Sequence, residues 1–226
     1  MNILAIFAHP DDVEYHCGGT LLKYRQQGHK IYIALTTSGN TGSNDIDCRE
    51  AIAATREAEQ LEAAKHLDAE VMFLRFEDES LFDTPETRRA VLTAIRWANP
   101  DVIFTHNPRD YSTDHNITAK LVTEVLLTTG GRHHNADLPP IETLPQVFFE
   151  GKKCFVDITG QMEEKVVMCH CHKSQIDWMM TFQDHDFTED VTAIGRMYGL
   201  WAGYTYAEGF EAHKILGYSA DYRLLP

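Results

Sequence analysis

The chain has 226 residues, 43% of them hydrophobic, enough for one sizeable packed core or at most two small ones. Lys+Arg number 20 against 34 Asp+Glu, a formal net charge of −14, and that balance disfavours nucleic acid, whose phosphate backbone calls for a basic face. Five cysteines without a disulfide or CxxC pattern, and no early apolar run longer than Ile3 to Ala8, predict a soluble protein of the reducing cytoplasm with no membrane span.

Up to about residue 130 short β-rich runs alternate with longer helical patterns, which predicts βαβ units and a parallel sheet. The runs Ile3–Ala8, Lys30–Thr36, Val71–Phe76 and Asp101–Thr105 are nearly continuous in Ile, Val, Leu and Phe, as strands covered on both faces should be. Between them Gly18–Gln27, Cys48–Leu67 and Pro85–Ala98 carry apolar residues at helical spacing. Pro85 after Thr84 marks a helix start and Asn99-Pro100 the matching stop. A further helix is expected from near Asp114 to about Leu127. Residues 130 to 145 hold two Gly and three Pro and read as a surface loop. Beyond it come β-like Gln146–Glu150 and Cys154–Ile158, then a helix from about Gly160 to Met179, then an aromatic-rich tail that yields no assignment. The expected fold is α/β and Rossmann-like, a mostly parallel sheet with helices on both faces, in a single domain over residues 1–226.

The first strand ends in Ala8-His9-Pro10-Asp11-Asp12-Val13-Glu14. Ligands of open α/β sheets bind beyond the carboxyl ends of the strands, so this cluster falls where a site is expected. One imidazole and three carboxylates so close together raise each other's proton affinity unless a cation or hydrogen-bond donors intervene. A metal ion would resolve the conflict; the alternative is a solvated acidic turn capping the helix near Gly18. A second cluster, His106-Asn107-Pro108-Arg109-Asp110-Tyr111-Ser112-Thr113-Asp114-His115, follows the fourth strand on the same rim. Alone, His115 reads as a capping or exposed histidine. Jointly, the clusters can supply two imidazoles and one carboxylate with a position left for water, the usual composition of a catalytic zinc site.

Those two segments resemble the paired signature of the PIG-L/LmbE-like family of zinc-dependent N-deacetylases, which act on N-acetylglucosaminyl compounds. Further matches are Thr36-Thr37-Ser38-Gly39, Arg56-x-x-Glu59, His172-Lys173-Ser174-Gln175 and Tyr206-Ala207-Glu208-Gly209-Phe210. The resemblance implies Zn²⁺ held by His9, Asp12 and His115, with Asp11 as the general base that takes a proton from the attacking water. It implies a small-molecule N-acetylated substrate and is compatible with a homo-oligomer. One departure stands out: family members commonly carry a histidine three positions before the last ligand, where this chain has Ser112. His106, His172 and Tyr111 are the candidates to replace it.

Around this core, Arg56, Asp114, Tyr111 and His172 are expected to bind substrate. Arg56 could instead pair with Glu59 or Gln60 on its own helix. Asp114 would orient His115 or a substrate hydroxyl, or cap its helix. Glu14 is expected to fix the loop through backbone hydrogen bonds. His133-His134 reads as a solvated pair, and Cys169-His170-Cys171-His172 as core cysteines rather than a zinc site, because neighbouring helical side chains diverge. Other readings of the same residues are a metal-dependent hydratase or hydrolase of a non-sugar substrate, an Fe(II) facial triad, and a binding domain without catalysis.

Overall fold

Parallel strands need a crossover between them, and helices supply it after each of the first three strands. In the computed structural model, which describes residues 1–226 except 45, 135, 136, 216 and 219, the order is β1 (Asn2–Phe7), α1 (Asp12–Gln26), β2 (Lys30–Thr37), α2 (Arg49–Lys65), β3 (Glu70–Phe76), α3 (Pro85–Ala98) and β4 (Val102–Thr105). There follow α4 (Thr113–Val125), β5 (Gln146–Asp157), α5 (Met162–Cys169), α6 (Lys173–Gln183), α7 (Phe187–Ala202) and β6 (Ala207–Ala212). The strands form one six-stranded sheet in the order β3-β2-β1-β4-β5-β6, parallel except for antiparallel β6.

The period-two alternation of β1 sorts the core into two layers. Ile3, Ala5 and Phe7 face α1, α2, α5 and α7, where Leu21, Ala64, Met168 and Val191 pack on them. Leu4 and Ile6 face α3 and α4, against Val91, Ile95, Leu121 and Val125. Helices therefore cover both faces, as the apolar runs predict. Because β1 lies between β2 and β4, successive crossovers leave it in opposite directions and open a crevice at the carboxyl ends of β1 and β4.

Three expectations change. The first helix begins at Asp12, not near Gly18, because the chain turns into it through Asp11 at φ 109°. The two β-like runs after the loop are one strand, β5, whose register against β6 shifts between Glu150 and Cys154. The helix expected from Gly160 to Met179 is two, broken at His170–His172, where His172 leaves helical geometry (φ −86°, ψ 57°) to pair with Glu14. The unassigned tail supplies α7 and the edge strand β6.

Candidate active site

Asp11 decides between the two readings of the acidic turn. It occupies the N-cap position of α1, yet its side chain makes no capping bond. Its carboxylate instead accepts a hydrogen bond from Arg56 Nη2 at 3.1 Å, and the same nitrogen donates to Pro10 O at 2.7 Å. A non-glycine residue at such a φ stores roughly 1–3 kcal/mol of strain. Arg56 on α2 and the Tyr15 N–H, which bonds Asp11 O at 3.0 Å, hold the kink. Burial pushes the Asp11 carboxyl up, partly opposed by the Arg56 charge.

The kink turns adjacent side chains apart, so Asp12 faces the two histidines. His9 Nδ1 lies 3.2 Å from His115 Nε2, Asp12 Oδ1 lies 3.4 Å from His115 Nε2, and Asp12 Oδ2 lies 3.4 Å from His9 Nδ1. A tetrahedral ion with bonds of ~2.0–2.1 Å has ligand-to-ligand edges of ~3.3–3.4 Å, so the spacing fits a zinc-sized cation. The outer atoms agree with this. His9 Nε2 lies 2.9 Å from Asp78 Oδ1, and His115 Nδ1 lies 3.0 Å from Asp110 Oδ1, which leaves the inward ring nitrogens as lone-pair donors. Without a cation, burial would deprotonate His9, but Asp114, Asp12 and Asp78 outweigh it and hold the imidazole well above its ordinary pKa. A proton and a metal ion thus compete for one position.

Asp78 was not anticipated. It sits beyond β3, on the same rim, and Thr41 Oγ1 donates to its second oxygen at 2.6 Å. Asp114 corrects an expectation: its oxygens accept the N–H groups of Glu79 and Leu81 and lie 3.5 Å from His9, whereas Asp110 is the partner of His115. Arg56 is buried, its Nη1 committed to Gly39 O at 3.0 Å and its Nη2 to Pro10 and Asp11, so it positions Asp11 rather than reaching for a sugar. Gly39, at φ 59°, is required there, since a Cβ would stand 2.1 Å from the guanidinium.

The candidates for the missing histidine separate cleanly. Ser112 caps α4 by accepting the His115 N–H at 3.5 Å. His106 is fully buried, accepts the Ala8 N–H at Nε2, and stacks on His115 with ring centroids 3.8 Å apart; burial pushes it down to about 3, so it stays neutral and backs the ligand ring. His172 is fully buried 3.1 Å from Glu14, which also accepts Gln60 Nε2; both Glu14 bonds are to side chains, not to the loop backbone. Substrate contact is therefore closed to His172. Tyr111 is 95% exposed, its ring edge-on to His115. His16, unremarked in the sequence, lines the cavity instead. Its Nδ1 lies 2.9 Å from Glu150 Oε2, and a ring nitrogen lies within 4.8 Å of ligand atoms on Asp12, His106 and His115. Burial works against its charge, but the Glu150 hydrogen bond and charge win and raise its pKa. The signal was its spacing: four residues after Asp12 places it on the same helix face, visible once the helix starts at Asp12.

The other matched segments build the frame. Glu59 accepts Ser174 N at 2.8 Å and Ser174 Oγ at 2.7 Å, tying α2 to the start of α6. Buried Glu208 accepts Gly19 N and Thr20 N and pairs with Lys165, tying β6 to α1 and α5. His133 and His134 are exposed away from the site, and Cys169 is buried. The cavity over His9, Asp11, Asp12, His16 and His115 has a volume of about 650 Å³, enough for a small glycoside.

The family profile described as GlcNAc-PI de-N-acetylase (PIG-L) matches residues 4–126. Diacetylchitobiose deacetylase of Thermococcus kodakarensis is 29% identical over 93% of this chain and 82% of its own length. A probable N-acetyl-alpha-D-glucosaminyl L-malate deacetylase 2 of Bacillus anthracis is 26% identical over 84% of this chain and 88% of its own. The crystal structure of N,N'-diacetylchitobiose deacetylase from Pyrococcus horikoshii superposes with a TM-score of 0.83 at 26% identity, covering 93% of this chain and 83% of that one.

Proposed function

The chain belongs to the PIG-L family of N-deacetylases, and from that premise we propose that it removes the acetyl group from an N-acetylated amino sugar or its conjugate, with the whole chain acting as one domain. The observation that carries this reading is the convergence of His9 Nδ1, Asp12 and His115 Nε2 beside the separately held Asp11. His9, Asp12 and His115 would hold the metal, Zn²⁺ by their donor set and spacing. When bound, it supplies Lewis acidity, polarising a carbonyl and making water acidic near neutral pH.

The protein's own residues do the rest. Asp11 takes the proton of the attacking water, and Arg56 fixes which carboxylate oxygen faces the cavity. Asp78 and Asp110 set the orientation of the two imidazoles from behind. His16, with one N–H engaged by Glu150, presents the other side of its ring to the cavity and fills the role that Ser112 leaves open, donating a hydrogen bond to the reacting amide. Tyr111, at the cavity mouth, is left to contact the bound sugar. All five cysteines are free, which supports a reducing compartment such as the cytoplasm. Among the described residues no helix is long and apolar enough to cross a membrane.

Acetate release from N-acetylglucosaminyl compounds tests the reading. Turnover should vanish with a chelator, return with Zn²⁺, and be lost in His9→Ala. Acetate release that survives both chelation and His9→Ala would overturn it.

A further inference from the structure

The cavity continues outward from the metal-ligand cluster to a wall built by α6 and α7, where Trp178, Met179 and Phe187 face it. Its charge is one-sided. Asp11, Asp12, Asp78, Glu79, Asp114 and Asp190 contribute carboxylates, and Arg56 is the one Lys or Arg among the described lining residues. Both terminal nitrogens of that guanidinium are engaged by Pro10, Gly39 and Asp11, and its Nε is enclosed. His185, the nearest other cationic group of the wall, is 2.7 Å from Asp190, which neutralises it. With Arg56 set against Asp11 and His185 against Asp190, a divalent ion at the cluster would offset two of the four remaining negative charges, leaving the lining as a whole negative.

An anionic group carried by the substrate would meet no free Lys or Arg among the described lining residues, His16 being charge-paired with Glu150, and several carboxylates at short range, where like charges repel strongly. An uncharged sugar ring meets a better surface. An indole offers an apolar face to the C–H side of a pyranose. Trp178 lines this wall, but its Nε1 is shut away from solvent, so the ring and not the N–H is what a ligand would meet.

Resting on the deacetylase reading above, we propose that the part of the substrate beyond the acetamido sugar is a neutral glycosyl unit seated against Trp178, Met179 and Phe187, and that anionic conjugates are excluded. The probes are N,N'-diacetylchitobiose, N-acetylglucosaminyl malate and N-acetylglucosamine 1-phosphate, compared by kcat/KM for amine release. The neutral disaccharide should exceed both anions by about tenfold or more, and the gap should narrow as salt rises, since screening weakens repulsion. Gln183→Lys, which puts a cation on the wall, should raise kcat/KM for the anions several-fold. Trp178→Ala, which removes the ring from the wall, should raise KM for the disaccharide more than for N-acetylglucosamine.

Anionic probes used as well as the neutral one, at low salt, would overturn the proposal while leaving the deacetylase reading intact. If no probe releases amine, the deacetylase reading is what has failed. Calorimetric binding to Asp11→Asn then decides the charge preference: diacetylchitobiose bound and the anions rejected upholds it, and equal binding or none overturns it.

Discussion

At Asp11 the backbone is strained and the carboxylate is held by a buried guanidinium, so identity and position can be separated by mutation. Asn keeps the shape and the Arg56 contact but cannot take a proton. Asp11→Asn should lower kcat by about 10²–10⁴-fold, the usual contribution of general base catalysis, with metal content by elemental analysis unchanged. Full activity in this variant would remove Asp11 from the proton-transfer role. His16 is the other residue to isolate, since Ser112 is spent on a helix cap and His106 and His172 are sealed in the core. His16→Ala should reduce kcat by about 10²–10³-fold, as removal of one donor to a developing oxyanion does. Glu150→Gln, which leaves the ring but weakens its charge, should shift the alkaline limb of the kcat profile to lower pH. Losing Glu150 lowers the pH at which the imidazolium gives up its proton. A kcat loss in His16→Ala with no shift in Glu150→Gln would mark His16 as packing rather than a donor.

The break between α5 and α6 shows how one buried pair can outrank local helical preference. Nothing at Cys169-His170-Cys171-His172 is a helix breaker, and the chain stops there because His172 is drawn to Glu14 on α1. Removing one member of such a pair leaves the other buried and uncompensated, so His172→Leu should cost about 3–5 kcal/mol in urea unfolding. The pair also fixes a pH dependence. Burial pushes the His172 imidazole down, but the Glu14 hydrogen bond and charge outweigh it and leave its pKa raised. A raised folded value means that the folded state holds the proton more tightly; the stabilisation is complete below the unfolded pKa of ~6.5 and disappears as pH rises through the folded value. Stability should therefore fall on going from neutral to alkaline pH, with a shallower fall in His172→Leu; equal slopes would rule out the pair as the cause. The same logic separates what could be read in the sequence. β1, β2 and β4 were legible because strands covered on both faces are nearly continuous in apolar residues, the edge strand β3 by its Val71–Leu74 run, and the rim position of His9 and His115 follows from strand direction. The break at His172, the joining of β5 across its bulge and the early start of α1 at Asp12 depend on partners far along the chain, namely Glu14, β6 and Arg56, which no local pattern reveals. Asp78 and His16 were legible in principle, one by its place after β3 and the other by helical spacing from Asp12.

On the scale of the whole molecule, a chain of net charge −14 gathers carboxylates and imidazoles from the segments after β1, β3 and β4 and from α1 and α4 around one point, and the folded state bears the cost of bringing them together. A cation held by His9, Asp12 and His115 relieves that cost only when the three segments are in place, so metal binding and folding are linked. At a free ion concentration of a hundred times Kd the linkage is worth about 2.7 kcal/mol. In a domain of this size each kcal/mol moves the melting temperature by roughly 2–4 °C, so Zn²⁺ should raise Tm by about 5–10 °C. Sodium chloride at matched ionic strength should not reproduce the rise, because screening acts on all surface charges while the ion acts at one site. Lowering the pH should erode it, since protons compete for the imidazoles. His115→Ala should abolish the increment while leaving the metal-free Tm within a few degrees of the parent. A full increment persisting in His115→Ala would place the ion elsewhere, with the neighbouring group of His9, Asp78 and Asp114 as the alternative set of ligands, and would detach Asp11 from the metal-assisted role given to it here.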